Sequence, residues 1–431
     1  MLNVGKKHMM KFGVSVLLLI AFGSILPTSA HADKKTDKKK AAPAVAKPSD
    51  GLNWVDGVPD FTTIVFPPAP AVPRIRYLDY FSSSLPELPK VERQKQKAGW
   101  MDRLAGVDNN EGDKKAPKIR YHLFAPYGLA VDSKGLLYIA DTKVGAVFIF
   151  NTENDHVELI KAGTDAQFKS IFGLAIDDAD HLFVSDGGRH EILEFDAEHK
   201  YVGSFGLHDL RTPAGIAIDL ENRFLYVADA ELDQVVVFDA DSHAVLRKLG
   251  TTGKNHTLTD PGNFSKPSNV AVGKGGDVFI SDTMNDRVEV FDADGNFIRT
   301  FGQNGDAVGN FARPKGIAVD TDGHVWVADA MLNRLQVFTP DGQVLMSFGG
   351  YGIGPAQFQA LTGLTFDAKR NRLFAAEQIY GRVQMFRYYT DDEARAEIAK
   401  RRAGKSDEAA KAKAGEVKSA PQLKLPPEAK P

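Results

Sequence analysis

Six approximate copies of one pattern, four short strand-like runs in each copy, and no helical periodicity between them predict an all-β fold, a six-bladed β-propeller of four-stranded antiparallel blades. The copies are plainest in PKGIAVDTDGHVWVADA (Pro314 to Ala330), PAGIAIDLENRFLYVADA (Pro213 to Ala230) and APYGLAVDSKGLLYIAD (Ala125 to Asp141). Aligned on the acid that ends the second run, Asp141, Asp186, Asp229, Asp282, Asp329 and Glu377 follow one another at intervals of 45, 43, 53, 47 and 48 residues. A period of this size marks a stacked or radial repeat, and a chain of 431 residues then needs no single large core.

Each copy opens with a turn and G-[LI]-A-[VI]-D, as in Gly128 to Asp132, Gly173 to Asp177, Gly215 to Asp219 and Gly316 to Asp320, with weaker forms at Asn269 to Gly273 and Gly363 to Asp367. Such short, almost uncharged runs are expected of strands buried on both faces. A turn such as DTDG leads to the run that ends in the acid. The third run ends in Phe150, Phe195, Phe238, Phe291, Phe338 or Phe386, and these rings are expected in the core between blades. The fourth run is more polar.

The P-x-G-[LI]-A-[VI]-D start, the A-D end of the second run, the N-x-R or N-R before the third and the F-D after it resemble the NHL repeat, over roughly Ile119 to Tyr388. The whole chain is similar to exported bacterial six-bladed NHL propellers. Asn269 in place of Gly and Glu377 in place of Asp depart from that pattern.

In chain order, residues 1–32 read as a signal peptide: Lys6, Lys7 and Lys11 precede an apolar run from about Val14 to Leu26 and the small-x-small sequence Ala30-His31-Ala32. Export to the periplasm or medium, with cleavage after Ala32, is expected. Residues 33–60, rich in Lys, Ala and Pro, have almost nothing to bury and read as a disordered linker. Residues 61–82 contain RIRYLDYF (Arg74 to Phe81), whose alternation suits the fourth strand that the last repeat lacks, so this N-terminal strand is expected to close the ring. Residues 83–118 are expected to be an insert with an amphipathic helix around Trp100, Met101 and Leu104, either a lid or wall for the adjoining rim or a segment packed on the outside of the first blade. The propeller occupies 119–390. Residues 391–431 are expected to begin as a charged helix and to end as a Pro-rich tail.

Composition narrows the chemistry. Residues 121–390 hold 23 Lys and Arg against 36 Asp and Glu, an acidic body that repels phosphate backbones, so nucleic acid is not expected as a partner. The lysine-rich tails also contain acids and are expected to be solvated spacers, with weak contact to an anionic envelope surface as the alternative. With no cysteine there is no disulfide, lipidation or haem-attachment site and no thiolate. A monomer is expected, and neither a cofactor nor a metal site is assigned.

Antiparallel pairing puts the start of each first strand and the end of each second strand at one rim. The residues there that break the repeat are the expected ligand contacts: Tyr127, Phe172 and Lys315 before the glycines, and Lys143, Arg189, His190, Met284, Met331 and Tyr380 after the acids. The acids themselves recur in every copy, so they are expected to hold turns, with Arg287, Arg334 and Arg382 as partners, rather than to catalyse. Asp292 to Asn296 resembles the opening of a calcium loop, but Gln303 stands where a bidentate Glu is needed, so a hairpin is expected. His181 and His324 precede second strands and are expected on the surface of the opposite rim.

The favoured function is an exported module that binds a protein, peptide or glycan in the cell envelope. A metal-assisted lyase or lactonase, using His190 with Glu231, Asp233 and Asp286, and a structural envelope protein are the alternatives.

Overall fold

The computed structural model describes residues 54–55, 58–59, 64–68, 70–82, 122–153, 157–161, 167–250, 260–400 and 402. The expected signal peptide, most of the linker, the helical insert with Trp100, Met101 and Leu104, and the Pro-rich end of the tail lie outside these residues.

Six antiparallel sheets form a closed ring. Their first strands, Pro126–Val131, Ile171–Ile176, Pro213–Asp219, Pro267–Val272, Pro314–Val319 and Leu361–Asp367, pack against one another in turn, and the last packs on the first. The next three strands of each blade follow outward in chain order. In the sixth blade the third strand, Arg382–Tyr388, pairs with the N-terminal strand Ile75–Ser82, as Val383 with Phe81 and Phe386 with Tyr77. Val65–Phe66 then adds a short fifth strand that the sequence pattern does not signal. Residues 391–400 are helical.

One apolar cluster fills each of the six interfaces between blades. The strand-ending Phe150, Phe195, Phe238, Phe291, Phe338 and Phe386 are all buried in these clusters. Phe264, Phe311 and Phe358, from the loops that enter the fourth, fifth and sixth blades, are buried beside them.

The inner ring explains the repeated glycine. A Cβ on Gly128 would lie 2.1 Å from the carbonyl oxygen of Phe172, and one on Gly173 or Gly316 would lie 2.4 Å from that of Ala214 or Thr362. Each blade thus presses its backbone on the residue that precedes the next blade's glycine. Asn269 fits the pattern's exception because its amide faces Gly215, where a Cβ would be only 2.1 Å from Asn269 Oδ1.

Every pairing of first with second strand also carries a register shift at this point, for example between Pro126↔Asp141 and Leu129↔Ile139. The extra residue is a β-bulge, which re-aims the side chain it carries. Tyr127, Phe172, Ala214, Ser268, Lys315 and Thr362 all occupy this position, so the fold places six sequence-variable residues around the axis at one rim.

Candidate functional site

The acids after the second strands build the rim rather than react there. Asp186, fully buried, accepts hydrogen bonds from the amides of Lys169, Ser170, Gly188 and Arg189 at 2.7–3.1 Å, tying the loop before its blade to the turn that follows it. Asp141, Asp229 and Asp329 do the same. Asp282 and Glu377 add an arginine, Arg287 Nε at 2.9 Å and Arg382 Nε at 2.6 Å. Burial pushes both carboxyls up, and the guanidinium and hydrogen-bond donors offset part of that. Arg334 departs from expectation: its guanidinium donates to the carbonyls of Asp306, Ala307 and Asn310, because Asp329 is already saturated by backbone amides.

At the axial mouth three of the expected contacts meet. The rings of Tyr127 and Phe172 lie edge to face, 5.2 Å between centroids. Lys315 Nζ, two blades away from Tyr127, reaches to 5.7 Å from the centre of the Tyr127 ring. Tyr127 is only 8% exposed, and burial raises its phenol to about 12. Burial, aided by the nearby Arg313 charge, lowers the Lys315 ammonium below the usual lysine range. Gly187 makes the room for Phe172, since a Cβ there would stand 2.9 Å from its ring. Small residues, Ala214, Ser268 and Thr362, take the other three positions, and Thr362 Oγ1 donates to the Pro126 carbonyl at 3.0 Å.

The remaining expected contacts lie further out. Met284 and Met331, 46% and 58% exposed, occupy the same loop position in the fourth and fifth blades. Ile379, 53% exposed, continues that arc in the sixth. Lys143 is exposed, with Nζ 5.6 Å from the Phe124 ring. Tyr380 sits beside Ile379 in a left-handed conformation, and its carbonyl accepts from Ser82 Oγ. Arg189 is committed to Glu191 at 2.9 Å, and His190 Nδ1 to the Arg211 carbonyl.

Sequence reasoning places Ile379 in a loop of this rim without singling it out, and gives no part to Phe124 or Arg313. Arg313 stands two residues before Lys315, and its Nε is buried without a hydrogen-bond partner. The signal was its place directly before the P-x-G start of a copy, a loop that varies too much between copies for one residue to stand out.

Glu231, Asp233, Asp286 and His190 are not drawn together as a ligand set. Glu231 accepts from Thr212 Oγ1 at 2.9 Å, Asp233 from the Lys266 amide at 2.7 Å and Asp286 from Asn304 Nδ2 at 2.7 Å. Among the described residues, the group that brings His and carboxylate ligand atoms within 4.8 Å of one another is Asp322, His324 and Asp391, on the opposite rim. These atoms are already engaged. Asp322 Oδ2 accepts from Tyr388 Oη at 2.7 Å and from the Asp391 amide at 2.8 Å, and Asp391 pairs with the Arg74 guanidinium. A fixed cation in the group opposes a metal ion, so the cluster reads as a clamp between blade 5, the closing strand and the C-terminal helix. His324 is accordingly not a surface residue: its side chain is mostly buried, with Nδ1 3.0 Å from Tyr388 Oη and 3.2 Å from Asp320. Asp292 accepts the Asn296 amide at 2.7 Å in a plain hairpin turn.

A model of the NHL repeat matches residues 311–338, which fall in the fifth blade. A stretch of 102 residues, 23% of this chain, is 35% identical to a probable peptidyl-alpha-hydroxyglycine alpha-amidating lyase of Caenorhabditis elegans. The match spans 28% of that relative's length. Among solved structures, a Bacteroides thetaiotaomicron protein of unknown function is similar with TM-score 0.50 and 16% identity, over 65% of this chain and 73% of that one. A Xanthomonas campestris gluconolactonase gives 0.49 and 18%, over 62% and 87%. Virginiamycin B lyase of Staphylococcus aureus gives 0.46 and 15%, over 62% and 96%. At 16% identity the likeness to the Bacteroides thetaiotaomicron protein is one of fold alone. The NHL match within the fifth blade and the closed ring of six blades together support an NHL-type β-propeller.

Proposed function

We propose that this chain is an exported binding module whose ligand, a protein or peptide of the cell envelope, seats on the rim around Tyr127, Phe172 and Lys315. The observation that carries this reading is the convergence of three unlike side chains, from blades 1, 2 and 5, on one axial mouth. The exposed arc of Met284, Met331 and Ile379 beside it supports a macromolecular contact, because exposed apolar side chains on consecutive blades have no folding role. A glycan is less well served, since nearly buried Tyr127 offers no open ring face for a sugar. Export rests on residues 1–32 as read from the sequence, and the lysines of the tails suit a weak hold on an anionic surface.

The test is crosslinking in intact cells, comparing the natural chain with a Tyr127→Ala/Phe172→Ala variant and with a Met284→Glu/Met331→Glu variant. Loss of the same captured species in both supports the rim. An unchanged capture pattern in both defeats it.

A second reading, a lyase, draws on the 102-residue similarity to a probable amidating lyase. Metal analysis of the purified, tag-free protein tests it: a stoichiometric, tightly held divalent ion favours the lyase, and its absence counts against a metal-assisted one.

A further inference from the structure

We infer that the axial mouth is a carboxylate-binding subsite that takes the free C-terminus of a peptide, with Lys315 and Arg313 as the cationic partners. The inference rests on the rim reading above and specifies its ligand. Buried polar groups in folded proteins are almost always hydrogen-bonded. Here the donors gathered at one place lack a protein acceptor. Lys315 Nζ has neither a hydrogen bond nor an ion pair among the described residues, only the face of the Tyr127 ring. Arg313 Nε is buried and unpartnered, and among the described residues its guanidinium has no carboxylate within 4.0 Å.

The contrast with the other arginines of this rim is sharp. Arg189, Arg287 and Arg382 are closed on carboxylates, Glu191, Asp282 and Glu377, and Arg334, whose Nε is likewise unpartnered, spends its terminal nitrogens on the carbonyls of Asp306, Ala307 and Asn310. Asp286, an acid whose charge Arg313 feels, is bonded instead to Asn304 at 2.7 Å. Arg313 and Lys315 repel each other, Asp286 offsets only the Arg313 charge, and an incoming anion removes the cost that remains at Lys315. A carboxylate suits them because ammonium and guanidinium both donate to it in charge-assisted bonds.

A peptide is the better source of that carboxylate because the apolar groups around it match one. Tyr127 and Phe172 wall the mouth, and Met331, in the same blade as Lys315, opens the exposed arc that runs on to Ile379. A chain with its terminus on Lys315 has apolar surface to lie on as it leaves.

Calorimetric titration of the purified full chain tests this. The probes are an apolar hexapeptide ending in leucine as the free acid, the same peptide with an amidated terminus, and N-acetylleucine. The acid is expected to bind about 10- to 100-fold tighter than the amide, the worth of one or two hydrogen bonds to a charged group. Lys315→Gln should bring the acid down to the level of the amide, and Lys315→Arg should restore most of the difference. Competition by N-acetylleucine would mean that a small free acid suffices, and its failure beside a binding peptide acid that the chain is needed. Equal affinity for acid and amide, no binding of either, or an unaltered acid affinity in a folded Lys315→Gln protein overturns the inference. None of these bears on the crosslinking result, so the rim reading stands or falls separately.

Discussion

Gly363 in the last blade presses on Tyr127 in the first: a Cβ on Gly363 would lie 2.1 Å from the Tyr127 carbonyl oxygen. This contact joins the two ends of the ring at its inner edge, and the same Tyr127 carries the aromatic wall of the mouth. Gly363→Ala is therefore expected to cost about 1–3 kcal/mol through overpacking against rigid backbone, and to disturb ligand binding as well. Denaturant melts of the variant check the first, and titration with the peptide acid checks the second.

The outer edge of the same junction depends on the N-terminal strand. Phe81 is buried against Phe150 and Val383, in the interface between blades 6 and 1. Phe81→Ala should destabilise the whole ring by about 3–5 kcal/mol. A single cooperative unfolding transition, shifted as one, is the expected result, and a separate early transition of blade 6 would contradict it.

Glu377 and Arg382 form a fully buried ion pair that also holds the carbonyls of Ile353 and Gln357. Removing one charge strands the other, so Arg382→Met is expected to cost about 3–5 kcal/mol. The Glu377→Gln/Arg382→Met double variant should recover part of that loss, as a double-mutant cycle in urea would reveal.

His324 gives the clamp on the opposite rim a pH dependence. Its hydrogen bond to Asp320, and the charges of Asp320 and Asp391, raise its pKa above the usual histidine value against the opposing effects of burial and Arg74. A raised folded pKa means that the native state holds the proton more tightly than the unfolded chain. The gain is complete below the unfolded value near 6.5 and disappears as pH rises through the higher folded value. His324→Gln should therefore lower the melting temperature more at pH 5.5 than at pH 9, whereas an equal loss at both would show that the imidazole acts only by packing.

Lys315 carries the opposite shift, and binding through it should also weaken as pH rises. Its lowered pKa means that the ammonium is lost at a less alkaline pH than in an ordinary lysine. Affinity for the peptide acid should fall as pH rises through that value, with proton uptake on binding measured in buffers of different ionisation enthalpy. In Lys315→Arg the fall should vanish.

The repeat made the blades, their core phenylalanines and the closing strand legible, because each of these is written in local periodicity or in a strand missing from the count. Tyr127, Phe172 and Lys315 were legible for the converse reason: they break the pattern where a bulge turns the side chain towards the axis. What escaped depends on contacts between distant segments. Arg313 looked like any loop residue until its neighbours were fixed, and Arg334 found carbonyls of the preceding loop where an acid was expected. His324 sits in an ordinary turn, and only the return of Tyr388, 64 residues later, covers it. Val65–Phe66 pairs so briefly that no alternation marks it.

Because Ile75–Ser82 must find Arg382–Tyr388, a strand made before any of the six blades waits for the one synthesised last. A nascent chain still short of residue 388 leaves two raw sheet edges uncovered, and long-range pairing of this kind forms slowly. Closure of the wheel is thereby deferred until the whole of its rim has left the ribosome.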